Sequence, residues 1–382
     1  MLPLIRIPKF EFRITTFTPL SMPAEKIQTE AFLQLAQSYP VLDVRSPGEY
    51  THAHIPGAVS FPLFSDEERK QVGTTYKQVS RENAIKIGLD YFGPKMRSMV
   101  EQVEQLTAAQ TAVQKTVLVH CWRGGMRSAA IAWLLDLYGF KVYLLQGGYK
   151  AYRQWVIAHW TKAYPFHIVG GYTGSGKTYV LDALRSYNQP VLDLEAIASH
   201  KGSAFGTLKD KPQPTQELFE NLLAGALHQL LQAGEDKVIW VEDESQRIGD
   251  VNIPPQLWQS FRNRPVYFID VPFEERLQHI KADYGKIDKE VLINAIVRIQ
   301  KRLGPLETKT AINCLLENDI DGCFSQLLKY YDKQYTRALH SRDNMASLLQ
   351  QIPCTGVHAD TNARKILNHF HTHATDTAGN NR

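Results

Sequence analysis

The stretch FHIVGGYTGSGKTYVLDALRS (166–186) decides how the second half of this chain is read. Its first four residues, three of them apolar, predict a buried strand, while YVLDALRS carries apolar residues at helical spacing. Between them GYTGSGKT (171–178) fits the pattern G-x-x-x-x-G-K-[ST]. In that strand–loop–helix setting the N–H groups of residues 172–178 curl inward at a helix N-terminus and form a cradle for a diphosphate. Gly171, Thr173, Gly174, Ser175, Gly176, Lys177 and Thr178 are the candidate ligands. Lys177 supplies a point charge, and the Thr178 hydroxyl is of the kind that holds Mg²⁺. The pattern specifies a diphosphate rather than its hydrolysis. No arginine finger or water-positioning residue is evident from the sequence.

Working outward, PVLDLE (190–195), KVIWVEDES (237–245) and PVYFIDVP (265–272) read as further strands between helices, and residues 287–350 are largely helical. Glu242 or Asp243, at the end of an apolar strand, is the candidate second acidic group of the diphosphate site. The segment DLEAIASHKGSAFG (193–206), with Asp193, Glu195, His200, Lys201 and Ser203, reads equally as a cleft wall or a solvated loop.

The first half has the same alternation. YPVLDVRS (39–46), HIPGAVSFP (54–62), TVLVHC (116–121) and KVYLLQGGY (141–149) are strands, with a polar helical stretch over 65–110. Both halves belong to the α/β class. The predicted organisation is an extension over 1–24, one unit over 25–160, a second over 161–370 with a helical C-terminal part, and a disordered tail over 371–382.

The first unit has its own reactive loop, HCWRGGMRS (120–128). Gly124 and Gly125 let the backbone curl at a strand-to-helix turn, and Arg123 and Arg127 add charge. These features lower a thiol pKa and make Cys121 the candidate nucleophile or carrier. Two chemistries use such a loop: phosphoryl transfer through the thiolate, and carriage of a sulfur-family atom.

Composition sets outer bounds. At 382 residues with 43% hydrophobic and 21% charged residues, the chain has the make-up of an ordinary soluble protein with two cores. A net charge of +4 permits a nucleic-acid partner without requiring one. The four cysteines form no C-x-x-C pair, which speaks against a zinc site or a disulfide framework and suits a reducing, cytoplasmic setting. No apolar run reaches membrane-spanning length, so no membrane partner is expected.

LDVRSPGEY (42–50), HIPGA (54–58), HCWRGGMRS and LLQGGY (144–149), in that order, resemble a rhodanese domain. That resemblance implies that Cys121 carries sulfur or selenium and that Asp43 and Arg45 brace the loop by ion pairing. A rhodanese-like domain followed by a P-loop NTPase-like parallel-sheet domain, with DLEAIASHKGSAFG, VEDESQRIG (241–249) and IQKRLG (299–304), resembles the tRNA 2-selenouridine synthase family over about residues 25–350. The resemblance implies a transferase that converts 2-thiouridine at the tRNA wobble position to 2-selenouridine. Geranyl diphosphate first alkylates the sulfur, and selenophosphate then supplies selenium. It also implies tRNA as partner through its anticodon loop, a selenophosphate supplier as a second partner, and no bound cofactor beyond Mg²⁺. Trp122 reads either as a base-stacking residue or as packing. FRNRP (261–265), RIQKRLG (298–304) and YYDKQYTR (330–337) offer basic and aromatic residues to an RNA backbone. The competing reading is a rhodanese-fold cysteine phosphatase or sulfurtransferase coupled to a nucleotide-binding P-loop domain.

Overall fold

The computed structural model describes residues 24–111, 115–200, 212–232, 234, 237–285 and 287–379, with side chains through Thr372. The extension up to residue 23 lies outside the described residues, as do Lys201 and Ser203. The chain divides into two compact units. One comprises the chain up to Thr51 and Gly57–Tyr152, the other His52–Pro56 and everything from Arg153 on. The division therefore falls at 152/153, inside a helix, rather than at 160.

The first unit contains β1 (Glu25–Ile27), α1 (Thr29–Leu35), β2 (Val41–Asp43), α2 (Pro47–His52), β3 (Val59–Ser60), α3 (Asp66–Gln78), α4 (Arg81–Phe92), α5 (Met96–Leu106), β4 (Thr116–His120), α6 (Met126–Tyr138), β5 (Lys141–Leu145) and the start of α7 (Gly148–Ala158). Its five strands form one sheet in the order β1-β5-β4-β2-β3, and every pairing is parallel. β4 is buried along its whole length, as a central strand covered on both faces must be. The polar stretch 65–110 is helical because it carries its own caps. Ser65 accepts from the Glu68 amide while the Glu68 side chain takes the Ser65 amide, and Ser80 caps α4. β1 (EKI) gives no strand signal in isolation; pairing with β5 makes it one.

The second unit contains β6 (Phe166–Gly170), α8 (Lys177–Ser186), β7 (Val191–Leu192), α9 (Leu194–Ala198), α10 (Gln216–Gln232), β8 (Ile239–Glu242), β9 (Arg247–Ile248), β10 (Val251–Asn252), α11 (Pro255–Arg262), β11 (Val266–Asp270), α12 (Phe273–Tyr284), α13 (Lys289–Leu303), α14 (Pro305–Leu316), α15 (Ile320–His340), α16 (Met345–Leu348), β12 (Leu349–Pro353) and α17 (Ala359–Gly379). A parallel sheet runs β12-β11-β6-β8-β7. β6 is its centre, with chain connections leaving in opposite directions on either side. Ligands of such sheets sit at that switch point, beyond the C-terminal strand ends. One core joins the sheet to α8 and α17 through Val180, Leu184, Trp240, Ala363 and Ile366. A separate core holds α12–α15 together through Leu277, Leu292, Ile296, Leu315, Phe324 and Leu327.

Of the tail expected over 371–382, residues 380–382 lie outside the described residues, and α17 runs to Gly379. Once Ala363 and Ile366 dock the first turns, each further residue extends an existing helix instead of nucleating one. Ile366 is fully buried in that docking surface. Ile366→Ala should cost about 2–5 kcal/mol, read as a drop in the denaturant midpoint of the second unit with an unchanged slope.

Candidate active sites in the two units

In the first unit β4 delivers Cys121 at its C-terminal end, and α6 takes over at Met126. The loop between them closes on the start of α7. The Tyr149 amide donates to the Cys121 carbonyl (2.8 Å) and the Lys150 amide to the Trp122 carbonyl (3.0 Å). This contact explains the glycines of LLQGGY. Gly148 has φ +61°, and a Cβ there would collide with the Cys121 carbonyl and lie 2.5 Å from the Gly124 nitrogen. Only glycine permits that approach.

The Cys121 thiol is 97% shielded from solvent, and its Sγ lies 3.2 Å from the Ser128 Oγ. Burial works against the thiolate. The Ser128 hydroxyl, the amides of Ser128 and Arg123, and then the Arg127 charge outweigh it and hold the thiol below its ordinary pKa. Ser128 is the residue that sequence reasoning missed, although it ends the quoted loop. Arg123 serves through its amide, and its side chain is exposed.

Arg127 is held by Glu49 on α2, with Nη1 to Oε2 at 2.7 Å and Nη2 to Oε1 at 3.4 Å. The Ser46 amide also donates to Glu49 (3.1 Å). Despite burial, Arg127 and the Ser46 amide keep the Glu49 carboxyl below its usual value. Asp43 and Arg45 are both buried and doubly bonded to each other, Nη2 to Oδ2 at 2.6 Å and Nε to Oδ1 at 2.9 Å. The Arg45 guanidinium lies 3.8 Å over the Tyr149 ring, so the pair supports the loop through the residue whose amide carries Cys121. Trp122 is 38% exposed and also packs against Tyr149, with ring centroids 5.7 Å apart.

In the second unit Gly171, Gly174 and Gly176 have φ of +152°, +81° and +79°. They wrap the chain from β6 to the open N-terminus of α8, where Gly176 provides no side-chain cap and leaves the first amides available. Lys177 Nζ donates to the Gly171 carbonyl (3.0 Å) and lies 3.5 Å from Glu242 Oε1. Thr178 donates to Glu242 Oε2 (3.1 Å). Burial raises the Glu242 carboxyl; Lys177 opposes that rise and Glu195 adds to it.

The two candidate acids have different tasks. Glu242 faces Lys177 and Thr178, whereas Asp243 accepts from Tyr335 (2.7 Å) and pairs with Arg342. The Tyr335 hydroxyl in turn accepts from the Gly171 amide (3.2 Å), tying α15 to the base of the loop. Arg276, 3% exposed, donates to the Thr173 carbonyl (3.1 Å) and forks onto Asp332 (2.8 and 2.9 Å). Thr173 thus presents its carbonyl to an anchor. Ser175 is buried beneath the loop. Arg342 and Arg276 gave no signal in sequence, and Tyr335 stood out only in a stretch expected to face RNA, because all three lie far from the loop along the chain and form no motif with it.

The loop opens into a cleft of about 640 Å³. Part of its lining is apolar: Ile280, Tyr284, Phe324, Leu327, Leu328 and Tyr331, all members of the α12–α15 core or packed against it. Trp258, Arg262, Glu195 and Glu244 also line it. Of the segment 193–206, Glu195 reaches the cleft, while Asp193 caps α9 by accepting from the Ala196 amide (2.8 Å). Of the stretches expected to face RNA, Tyr331, Gln334 and Tyr335 line the cleft, and Phe261 is buried edge-on to Phe166 (4.7 Å). Arg298, Lys301 and Arg302 are exposed. Among the described residues no helix is long and apolar enough to cross a membrane.

A parallel sheet with a thiolate-favouring loop, joined in one chain to a parallel sheet with a phosphate loop at its switch point, defines a rhodanese-like domain fused to a P-loop domain. Residues 28–154 match the rhodanese-like domain family, and residues 164–352 match the tRNA 2-selenouridine synthase AAA domain family. Three curated proteins named tRNA 2-selenouridine synthase are similar to this chain. That of Nitrosomonas europaea is 39% identical over 64% of this chain and 63% of its own length. That of Bdellovibrio bacteriovorus is 37% identical over 74% and 71%, and that of Nitrosomonas eutropha 38% over 79% and 74%. The chain belongs to the tRNA 2-selenouridine synthase family.

Ser128→Ala removes the side-chain donor nearest the Cys121 sulfur, so the thiol pKa should rise. In a pH series of alkylation by iodoacetamide, the midpoint for Cys121 should move to higher pH than in the unaltered protein.

Proposed function

We propose that this chain converts 2-thiouridine at the tRNA wobble position to 2-selenouridine through an S-geranyl intermediate, with geranyl diphosphate and selenophosphate as co-substrates. The observation that carries this reading is the mixed lining of the cleft in the second unit. The phosphate loop with Lys177 shares it with an apolar wall of Ile280, Phe324, Leu327 and Leu328. A nucleoside would need polar partners for its base and ribose. The apolar wall suits a hydrocarbon chain, whose burial is favourable by about 0.8 kcal/mol per CH₂. Kinship with proteins named for selenouridine synthesis supports the same direction.

The chemistry divides between the units. In the first step the thiocarbonyl sulfur bonds to the chain's terminal carbon as the carbon–oxygen bond to diphosphate breaks. The loop amides and Lys177 neutralise the departing diphosphate. Lys177 now rests on the Gly171 carbonyl and near Glu242, contacts that a bound diphosphate replaces. The Thr178 hydroxyl beside Glu242 is a donor set that fits Mg²⁺, which would add charge neutralisation at the diphosphate. In the second step the selenium of selenophosphate bonds to the ring carbon, the geranylthio group leaves as a thiol, and water splits the phosphorus–selenium bond to release phosphate. We assign this second step to Cys121, whose loop is built to stabilise an anion on sulfur.

The test is nucleoside analysis of 2-thiouridine-containing tRNA after incubation with the protein and each co-substrate, singly and together. Cys121→Ala should accumulate the geranylated nucleoside and form no selenouridine; full selenouridine formation would remove Cys121 from the scheme. Lys177→Ala should weaken geranyl diphosphate binding by about 1.5–3 kcal/mol and block the first step. Unchanged binding in that variant would assign the loop another ligand.

A further inference from the structure

The lysines and arginines among the described residues that line the cleft are Lys177, Arg262 and Arg342. Lys177 serves the phosphate loop. Arg342 follows the end of α15, and its side chain is only 4% exposed. Its Nη2 pairs with Asp243, which also holds Tyr335. The guanidinium is therefore fixed by side-chain contacts that run on to the Gly171 amide. Its Nε and Nη1 are buried and have no hydrogen-bond partner among the described residues. A guanidinium carries more N–H donors than one carboxylate oxygen engages. Buried donors of a charged group are costly to leave unpaired, so these two call for an acceptor.

Arg262 ends α11 and lies within electrostatic reach of Arg342. Burial first, and then the Arg342 charge, hold its guanidinium below the ordinary arginine value, while Asp243 and Asp343 act against that. Arg262 forms no ion pair with a described residue. Its Nη2 donates to the neutral Ser341 hydroxyl (3.0 Å), and its guanidinium lies 4.9 Å from the centre of the half-buried Trp258 ring. Two neighbouring like charges repel, and an anion between them relieves both.

We propose that Arg262 and Arg342 form a second phosphate site in the cleft, which holds a backbone phosphodiester of the acceptor RNA next to the nucleotide being modified. The inference rests on the reading of tRNA as the acceptor. Planar guanidinium forks match phosphate oxygens two at a time. Trp258 favours a nucleotide over a free phosphate. An aromatic ring beside a phosphate-holding arginine offers its face to an unstacked base while the guanidinium takes the phosphate. Arg262 also lies in FRNRP, a stretch whose composition points to an RNA backbone.

The experiment measures binding of an anticodon stem-loop RNA, with 2-thiouridine at the wobble position, to the full-length protein over a series of salt concentrations. It compares the unaltered protein with Arg262→Gln, which can keep the Ser341 contact, and Arg342→Lys, which can keep the Asp243 pair but loses the fork. Each variant should bind the RNA about tenfold more weakly. Arg262→Gln should lower the salt slope by about 0.7 and leave the affinity for geranyl diphosphate unchanged. A second arm replaces single phosphates flanking the wobble uridine with neutral methylphosphonates. One of these replacements should cost the unaltered protein about tenfold in affinity and cost Arg262→Gln nothing further, because that contact is already lost. RNA affinity and salt slope that stay the same in both variants overturn the assignment. So does intact RNA binding by Arg262→Gln with weaker binding of geranyl diphosphate or of selenophosphate, which gives the arginines to that ligand instead. Failure of the unaltered protein to bind the stem-loop overturns the tRNA reading, and this assignment with it. A stem-loop bound through the two arginines but not alkylated supports the assignment and removes only the geranyl step.

Discussion

Both candidate sites depend on backbone approaching backbone more closely than a side chain would allow. In the first unit a Cβ on Gly148 would strike the Cys121 carbonyl, and one on Gly124 would lie 3.0 Å from the Leu145 carbonyl. In the second unit a Cβ on Gly171 would lie 2.6 Å from Ser175 Oγ and 2.7 Å from Ile269, and one on Gly174 would lie 2.7 Å from Ile280. These absences let peptide N–H groups turn inward at the C-terminal edge of each parallel sheet. A concavity of fixed amide dipoles stabilises negative charge without reorganising when that charge appears. The thiolate of Cys121 and the proposed leaving diphosphate ask for the same physical device.

Around these cradles the charged side chains are paired with unusual economy. Asp43 holds Arg45, Glu49 holds Arg127, Asp332 holds Arg276, and Asp243 holds Arg342. Buried pairs of this kind add little net stability, since each charge loses its hydration. Their use here is geometric. The Asp43–Arg45 pair supports Tyr149, which supports the Cys121 carbonyl. The Arg276–Asp332 pair fixes the crown of the phosphate loop through Thr173.

The helical part of the second unit has three uses at once. α15 carries Phe324 and Leu327 into the core of the helical bundle, offers them with Tyr331 to the lining of the cleft, and sends Tyr335 to the loop and Asp332 to Arg276. A 21-residue helix can do this because residues three and four apart share a face. The wall that would receive a hydrocarbon chain is thereby coupled to the loop that would receive its diphosphate.

Some of this was legible in the residues themselves. TVLVH and FHIVG announce buried strands, the glycines after them announce tight turns, and Cys121, Lys177 and Thr178 stand where local backbone geometry alone puts them. Such features depend on short-range sterics, and short-range sterics are written in adjacent residues. The ion pairs that hold the loops depend on which distant strands and helices are neighbours. Nothing near Gly171 predicts that Tyr335 will accept its amide proton, and nothing in VEDES tells Glu242, Asp243 and Glu244 apart. The strand EKI exists only because β5 lies beside it, and the helix over the expected tail persists only because Ile366 has a surface to bury against. The sequence by itself determined the two sheets and the two loops. Tertiary structure decided which side chains anchor the loops and which residues line the cleft, because those outcomes depend on contacts between residues that only packing brings within reach.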